Sequence, residues 1–122
     1  MYDPEVSNVV VQAMSEHRGL DITYRLLTDD FRFVYLSWAI LPFSGYRHRG
    51  KEYVLCYCHA KPGGPRTLPI GNITKARLRD KKVSVVAYRA LQKAFPELGE
   101  AKDSSWEPFA GVDLITEDEQ AT

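Results

Sequence analysis

The sequence predicts an α+β fold, with an N-terminal helix, a small five-stranded antiparallel barrel of the Sm-like or SH3-like kind, and a C-terminal helix. Three observations predict it. Apolar residues recur at helical spacing near each end, they alternate with polar residues in about five short runs between, and the connections are of hairpin length. At 122 residues the chain is long enough for one core. We expect residues 1–100 to form the domain and residues 101–122 to be an acidic tail, either partly docked or disordered.

The first element is a helix between Glu5 and His17. Asp3 is the predicted N-cap, Pro4 stands in the first turn, and Gly19 is expected to end the helix. The apolar positions spaced by three and four are Val6, Val9, Val10, Ala13 and Met14.

Two strands joined by a tight turn follow. Residues 20–27 (LDITYRLL) alternate apolar and polar side chains, and residues 28–30 (TDD) are typical of a turn. The run FRFVYLSWAIL, residues 31–41, is rich in aromatic and β-branched residues and predicts the second strand. Pro42, Gly45 and Gly50 indicate that a connection follows it.

The stretch GKEYVLCYCHA, residues 50–60, contains both cysteines of the chain. Its alternation places Val54, Cys56, Cys58 and Ala60 on one strand face and Tyr53, Leu55, Tyr57 and His59 on the other. His59 therefore points away from both thiols, and a structural zinc site needs four ligands. We expect two free cysteines that pack as small apolar side chains, with no metal and no cofactor.

Two short strands and a second helix complete the predicted domain. Lys61 to Pro65 is a predicted turn, and RTLPI and ITKARLRD read as strands separated by Gly71 and Asn72. Pro96 or Gly99 ends the helix, whose predicted stripe comprises Val83, Val86, Ala87, Ala90, Leu91, Ala94 and Phe95. In the tail, the residues suited to dock as an added strand are Trp106, Phe109, Val112, Leu114 and Ile115.

Charge is unevenly distributed along a chain whose net charge is zero. Acids outnumber bases in residues 1–30 and 81–122. Residues 31–80 carry only Glu52 and Asp80 as acids, against the nine bases Arg32, Arg47, Arg49, Lys51, Lys61, Arg66, Lys75, Arg77 and Arg79. This excess suits a surface that meets phosphates, or one that faces the acidic flanks of the same molecule.

Several function classes find no support in the sequence. No stretch is apolar enough for a membrane span and the N-terminus does not resemble a signal peptide, so we expect a cytoplasmic protein with reduced thiols and no membrane contact. The nucleotide-binding, hydrolase and metalloprotease motifs are absent, so we expect a binding protein and not an enzyme. Tyrosines interleaved with bases suit single-stranded nucleic acid, although tyrosine is also a favoured strand residue.

Four ordered segments resemble the WYL domain: ITYR from Ile22, the strand ending at Pro42, EYVLCYC from Glu52, and RTLPIGNI from Arg66. They cover about residues 20–80. The chain departs from the family pattern at Glu52, Val54, Leu68 and Asn72. The resemblance implies an Sm-like barrel that senses a ligand, here without a helix-turn-helix, in a family that serves transcription regulation. It implies a ligand site formed by Tyr24, Arg47, His48, Arg49, Tyr53 and Arg66.

Two functions are therefore predicted, and a metal- or thiol-dependent enzyme is kept as a third class only because the segment Cys56-Tyr57-Cys58-His59 is present. The first is a regulatory ligand-binding domain whose basic, aromatic barrel face takes single-stranded nucleic acid or a nucleotide. The alternative is a protein-interaction or assembly module without nucleic-acid binding, because exposed strand edges and tail aromatics suit partner chains. A partner protein and a homodimer are expected in either case.

Overall fold

The computed structural model describes residues 4–99 and 103–114, which form an α+β fold with two α-helices and a six-stranded antiparallel sheet. The predicted N-cap Asp3 and the predicted tail residue Ile115 lie outside the described residues. The elements are α1 (Pro4–Glu16), β1 (Arg18–Leu27), β2 (Phe33–His48), β3 (Lys51–Cys58), β4 (Gly64–Pro69), a 3-10 helix (Ile70–Asn72), β5 (Ile73–Lys82), α2 (Val85–Ala94), a second 3-10 helix (Pro96–Gly99) and β6 (Glu107–Gly111).

The sheet follows the order β4-β3-β2-β1-β5, and β6 pairs with β2 outside this path. Within the described residues no ladder joins β4 to β5, so the sheet is not closed and a barrel is not confirmed. The strand count is six and not the predicted five. The extra strand is β6, which pairs with Ser44 to Arg47 and comes from the segment predicted to dock as an added strand.

The second strand is longer than predicted, because it continues through Pro42 and Gly45 to His48. The register between β2 and β3 shifts between Pro42 and Ser44. A bulge there leaves the ladder locally unpaired, which tolerates a proline that has no N–H to donate. The connection to β3 is only a tight turn in which Arg49 and Gly50 have φ of 51° and 75°.

Helix α1 ends earlier than expected. His17, and not the predicted Gly19, follows the helix end in the left-handed conformation (φ 56°), and Gly19 already belongs to β1. A Cβ at position 19 would lie 3.2 Å from the backbone oxygen of Ile40, so this glycine serves close strand packing and not the helix end.

Two clusters of buried side chains stabilise the sheet. The first packs α1 against one face of the sheet and contains Cys56 and Cys58, both fully buried. The second gathers α2, the second 3-10 helix and residues 106–114 around Phe43 and Tyr88. The structure thus confirms that both cysteines face the core together with Val54.

The predicted stripe of α2 is partly wrong. Val86 is 74% exposed, whereas Tyr88, which the stripe omitted, is fully buried. The Ser84 side chain accepts a hydrogen bond from the Ala87 N–H and caps the helix, and Tyr88 then turns towards Phe43, with ring centroids 5.2 Å apart. Burying this one large ring removes more apolar surface from water than burying a valine. None of the helices in residues 4–99 and 103–114 has the length and apolarity needed to cross a membrane.

Candidate ligand-binding site

Two of the six predicted site residues, Tyr24 and Arg66, meet at a third side chain, Trp38. The Tyr24 ring stacks on the Trp38 ring with centroids 4.9 Å apart and an angle of 15° between the planes. The Arg66 guanidinium carbon lies 5.1 Å from the centroid of the Trp38 ring. Together with Asn72, whose side-chain amide donates to the Tyr24 hydroxyl at 3.4 Å, these residues form what we call the Trp38 cluster.

Strand register explains how these residues meet. Tyr24 pairs with Leu36 and Ile22 pairs with Trp38, so Tyr24 and Trp38 are diagonal neighbours on the same sheet face. Arg66 lies on β4 opposite Cys56, two strands away from β2. Since Arg66 nevertheless contacts the Trp38 ring, the sheet curves strongly between β2 and β4.

Arg66 combines a positive charge with unused donors. Its Nη2 donates to the Pro62 carbonyl at 3.3 Å, while its Nε is buried and has no hydrogen-bond partner among residues 4–99 and 103–114. Among the ion pairs of the described residues, none includes Arg66. A guanidinium has five N–H donors and suits phosphate or carboxylate, so this side chain is equipped to receive an anion.

Three other predicted residues contact the tail instead. Arg47 forms an ion pair with Glu52 (3.3 Å), and its guanidinium lies 4.8 Å from the Phe109 ring centroid. His48 stacks on Trp106 with centroids 4.4 Å apart and planes 3° apart, and the Tyr53 ring lies 4.7 Å from the Trp106 ring. These side chains anchor residues 106–109 on the sheet and do not join the Trp38 cluster.

Arg49 stands apart from both groups, because it occupies the exposed β2–β3 turn. Tyr53 also borders an open cleft of about 390 Å³ that includes Arg25, Lys51 and Asn72. Asn72 therefore connects this cleft to Tyr24, and the cleft extends the Trp38 cluster with two further bases.

The surroundings of the two cysteines indicate a packing role. The Cys56 Sγ–H donates to the Arg66 carbonyl at 3.6 Å, and burial, followed by the neighbouring Cys58, raises the pKa of the Cys56 thiol. A thiol whose pKa is raised is a poor nucleophile and a poor metal ligand. In the part of the chain that the structure describes, no three His, Cys, Asp or Glu side chains are placed to hold a metal ion.

Sequence reasoning did not select Trp38, although a signal was present. If the 28–30 turn joins two paired strands, residues on either side of it face each other, and Trp38 then falls beside Ile22 and Tyr24. The aromatic-rich pattern of residues 31–41 predicts only a strand for Trp38, since that pattern does not include the partner strand.

Solved structures of similar fold include the following protein. Proteasome accessory factor B/C (PafBC) of Arthrobacter aurescens matches with a TM-score of 0.56 and 18% sequence identity, over 95% of this chain. The match spans only 15% of the PafBC chain. No family model matches the chain, and no curated protein matches it. The similarity therefore shows the fold, which is compatible with the predicted resemblance to WYL domains.

Proposed function

We propose that this protein is a regulatory domain that binds a nucleotide or a short single-stranded nucleic acid at the Trp38 cluster, and that it is a binding protein and not an enzyme. The regulatory part of the proposal comes from the sequence resemblance to WYL domains. The ligand class comes from the side chains of the cluster.

The observation that carries the proposal is the state of Arg66. A buried donor without a partner costs about 1–3 kcal/mol, and natural proteins leave few such groups without a reason. The Arg66 Nε is such a donor, on a guanidinium with no ion-pair partner among the described residues. A phosphate bound by the guanidinium would supply the missing negative charge.

The neighbouring rings support an aromatic ligand over inorganic phosphate alone. Trp38 is only partly buried and already accepts Tyr24 and Arg66 as stacking partners. A nucleic-acid base stacked on an aromatic side chain contributes about 1–3 kcal/mol to binding, whichever base it is. Arg25 and Lys51, which border the adjoining cleft, suit a second phosphate.

Fluorescence anisotropy with a labelled oligonucleotide, and competition by free nucleotides, tests this function. We expect binding that weakens steeply as salt is raised, because phosphate contacts release counterions. Arg66→Ala should weaken binding roughly ten- to a hundredfold, since a charge-assisted hydrogen bond contributes about 1.5–3 kcal/mol. Circular dichroism should show that the variant remains folded.

Arg32→Ala is the matched control. It also removes one guanidinium, but from the exposed β1–β2 turn, where Arg32 pairs with Asp30 at 2.8 Å. Equal losses in the two variants would indicate a diffuse electrostatic attraction and contradict a site at Trp38. If the wild-type protein binds neither oligonucleotide nor nucleotide at low salt, the proposed ligand class is wrong.

A further inference from the structure

The β1–β2 hairpin extends past its neighbours as a two-stranded ribbon, which we call the hairpin tip (residues 25–35). Strand β5 pairs with β1 only from Arg18 to Tyr24, and β3 pairs with β2 only from Ile40 onwards. In the described residues no strand therefore covers the outer edge of β2 between residues 33 and 38.

The hairpin tip is exposed and strongly apolar. Phe31 is 85% exposed, Tyr35 62% and Phe33 54%; Leu26, Leu27 and Val34 are exposed as well. These six side chains make up most of the exposed large apolar residues on the described part of the chain, and the others, Val11 and Val86, stand singly on helices. Leu27, Phe33 and Tyr35 lie on one face of the ribbon, and Leu26 and Val34 lie on the other. Exposed apolar side chains beside an open strand edge mark an interaction surface.

The direction of the backbone groups on this edge follows from one hydrogen bond. The Ala39 carbonyl accepts from the His59 N–H at 2.9 Å, so the backbone groups of Ala39 face away from β1. Backbone groups alternate in direction along a strand, and the ladder to β1 has no register shift from Leu27 to Leu20. The N–H and C=O groups of Ser37, Tyr35 and Phe33 therefore point out from the free edge.

We infer that the hairpin tip binds the hairpin tip of a second copy of this chain, with the two β2 edges paired antiparallel about a two-fold axis at Tyr35. Only this register uses all three outward-pointing residues. Tyr35 then exchanges both backbone hydrogen bonds with the partner's Tyr35, while Phe33 and Ser37 pair with the partner's Ser37 and Phe33. Residues 33–39 contain no charge, so the two edges meet without repulsion.

A second feature favours a copy of the same chain as the occupant. In this register the turn of one chain, including Phe31, arrives beside Ala39 of the other. Ala39 borders an open groove of about 420 Å³ that has an apolar lining and the bases Arg79 and Lys81 on its rim. The turn carries Asp29 and Asp30 beside Phe31, but Asp30 pairs with Arg32 in the same turn and Arg79 pairs with Asp21, so the complementary charges are Asp29 and Lys81. The exposed Phe31 side chain suits the apolar groove, and the two-fold axis repeats the contact.

Multi-angle light scattering on the full chain measures the assembly. We expect a mass of twice 13.9 kDa that falls to 13.9 kDa in Tyr35→Lys, because that substitution places two like charges on the axis. Val86→Lys introduces the same charge at a 74% exposed position on α2 and should remain dimeric. A monomeric wild-type chain at every concentration overturns the inference, as does an assembly that grows beyond two copies.

Cysteine cross-linking tests the register. Cα atoms of a hydrogen-bonded antiparallel pair lie about 5.5 Å apart, which a disulfide can span. Tyr35→Cys should therefore form a disulfide-linked dimer on mild oxidation. Ser37→Cys alone should not, but it should cross-link when mixed with Phe33→Cys chains. Cys56 and Cys58 do not interfere, because both are fully buried.

The cross-linking result still tests the register if one variant is poorly folded, because Tyr35→Cys and the Ser37→Cys with Phe33→Cys mixture test it separately. Efficient self-linking of Ser37→Cys, or no linking in either arrangement, contradicts the two-fold axis at Tyr35. A wild-type chain that stays monomeric and binds a different protein through the hairpin tip would likewise reject pairing with its own copy.

Discussion

Tyr88 has its ring fully inside the protein, yet its hydroxyl has no hydrogen-bond partner in the described part of the chain. The ring contacts Phe43 and His17, whose centroids lie 5.2 and 5.3 Å away. We predict that Tyr88→Phe raises the free energy of unfolding by about 1 kcal/mol, because it removes a desolvated hydroxyl and keeps the ring. Urea denaturation measures this, and a loss of stability would reveal a partner for the hydroxyl.

The same residue predicts a pH dependence. Burial raises the pKa of Tyr88 to about 12 in the folded protein, while an unfolded tyrosine ionises near about 10. As pH rises, the unfolded state therefore loses the Tyr88 proton first. The contribution of the protonated Tyr88 to the free energy of unfolding is complete below about pH 10 and is lost as pH rises from about 10 to 12. Stability measured between pH 9 and 11 should fall less steeply in Tyr88→Phe than in the wild type.

The two cysteines are predicted to be inert. Both thiols are fully buried and the pKa of Cys56 is raised, so a thiol reagent should modify them only after denaturation. Replacing both with alanine should lower the free energy of unfolding by about 1–2 kcal/mol through lost packing and leave oligonucleotide binding unchanged. Lost binding in a double variant with unchanged melting temperature would instead give the Cys-Tyr-Cys-His segment a functional role.

At the scale of the elements, β6 depends on one glycine. A Cβ at Gly45 would lie 2.6 Å from Cζ of Phe109, which packs directly over it. We predict that Gly45→Ala displaces β6 and costs about 1–3 kcal/mol of stability. Gly64→Ala is the control, because a Cβ there meets nothing within 4 Å. A second change, Phe109→Leu, should recover part of the loss, and an unaffected Gly45→Ala variant would contradict tight docking of β6.

Elements with a strong local pattern could be predicted from the sequence, and those defined by distant partners could not. Helix α1, the β1–β2 turn and the inward cysteines follow from periodicity over a few residues. The passage of β2 through Pro42 was missed, because the bulge that accommodates the proline exists only once β3 pairs there. The left-handed His17 was missed because glycine is the usual residue for that conformation.

The candidate site shows the same division. Tyr24 and Arg66 were predicted from family resemblance and lie together, but their common partner Trp38 depends on strand register and sheet curvature. The family resemblance predicts the bases Arg47 and His48 as ligand residues, and the local sequence does not connect them to Phe109 and Trp106. Those contacts span about sixty residues and arise only when β6 joins the sheet.

For the whole molecule, residues 103–114 act as a structural strap, with Trp106 and Phe109 packed against the core. Removing residues 103–122 exposes surface now covered by Trp106 and Phe109, and each buried aromatic side chain contributes about 1.5–3 kcal/mol. We predict that the melting temperature of the truncated chain falls by roughly 10 °C or more. Its mass should remain that of the dimer, since the hairpin tip is intact. Dissociation without thermal destabilisation would assign the interface to the tail.

In the sheet, β1 lies between β2, which follows it in the sequence, and β5, which is made much later. This order affects how the chain folds during synthesis. The β1–β2 ladder closes over a short turn, whereas the pairing of Leu20 with Leu78 waits until nearly sixty more residues have been made. Because loop closure over so long a segment is slow, β1 spends part of synthesis with one edge unpaired. During this interval the nascent hairpin exposes the β1 edge from Arg18 to Tyr24, which β5 covers only when its residues have been made.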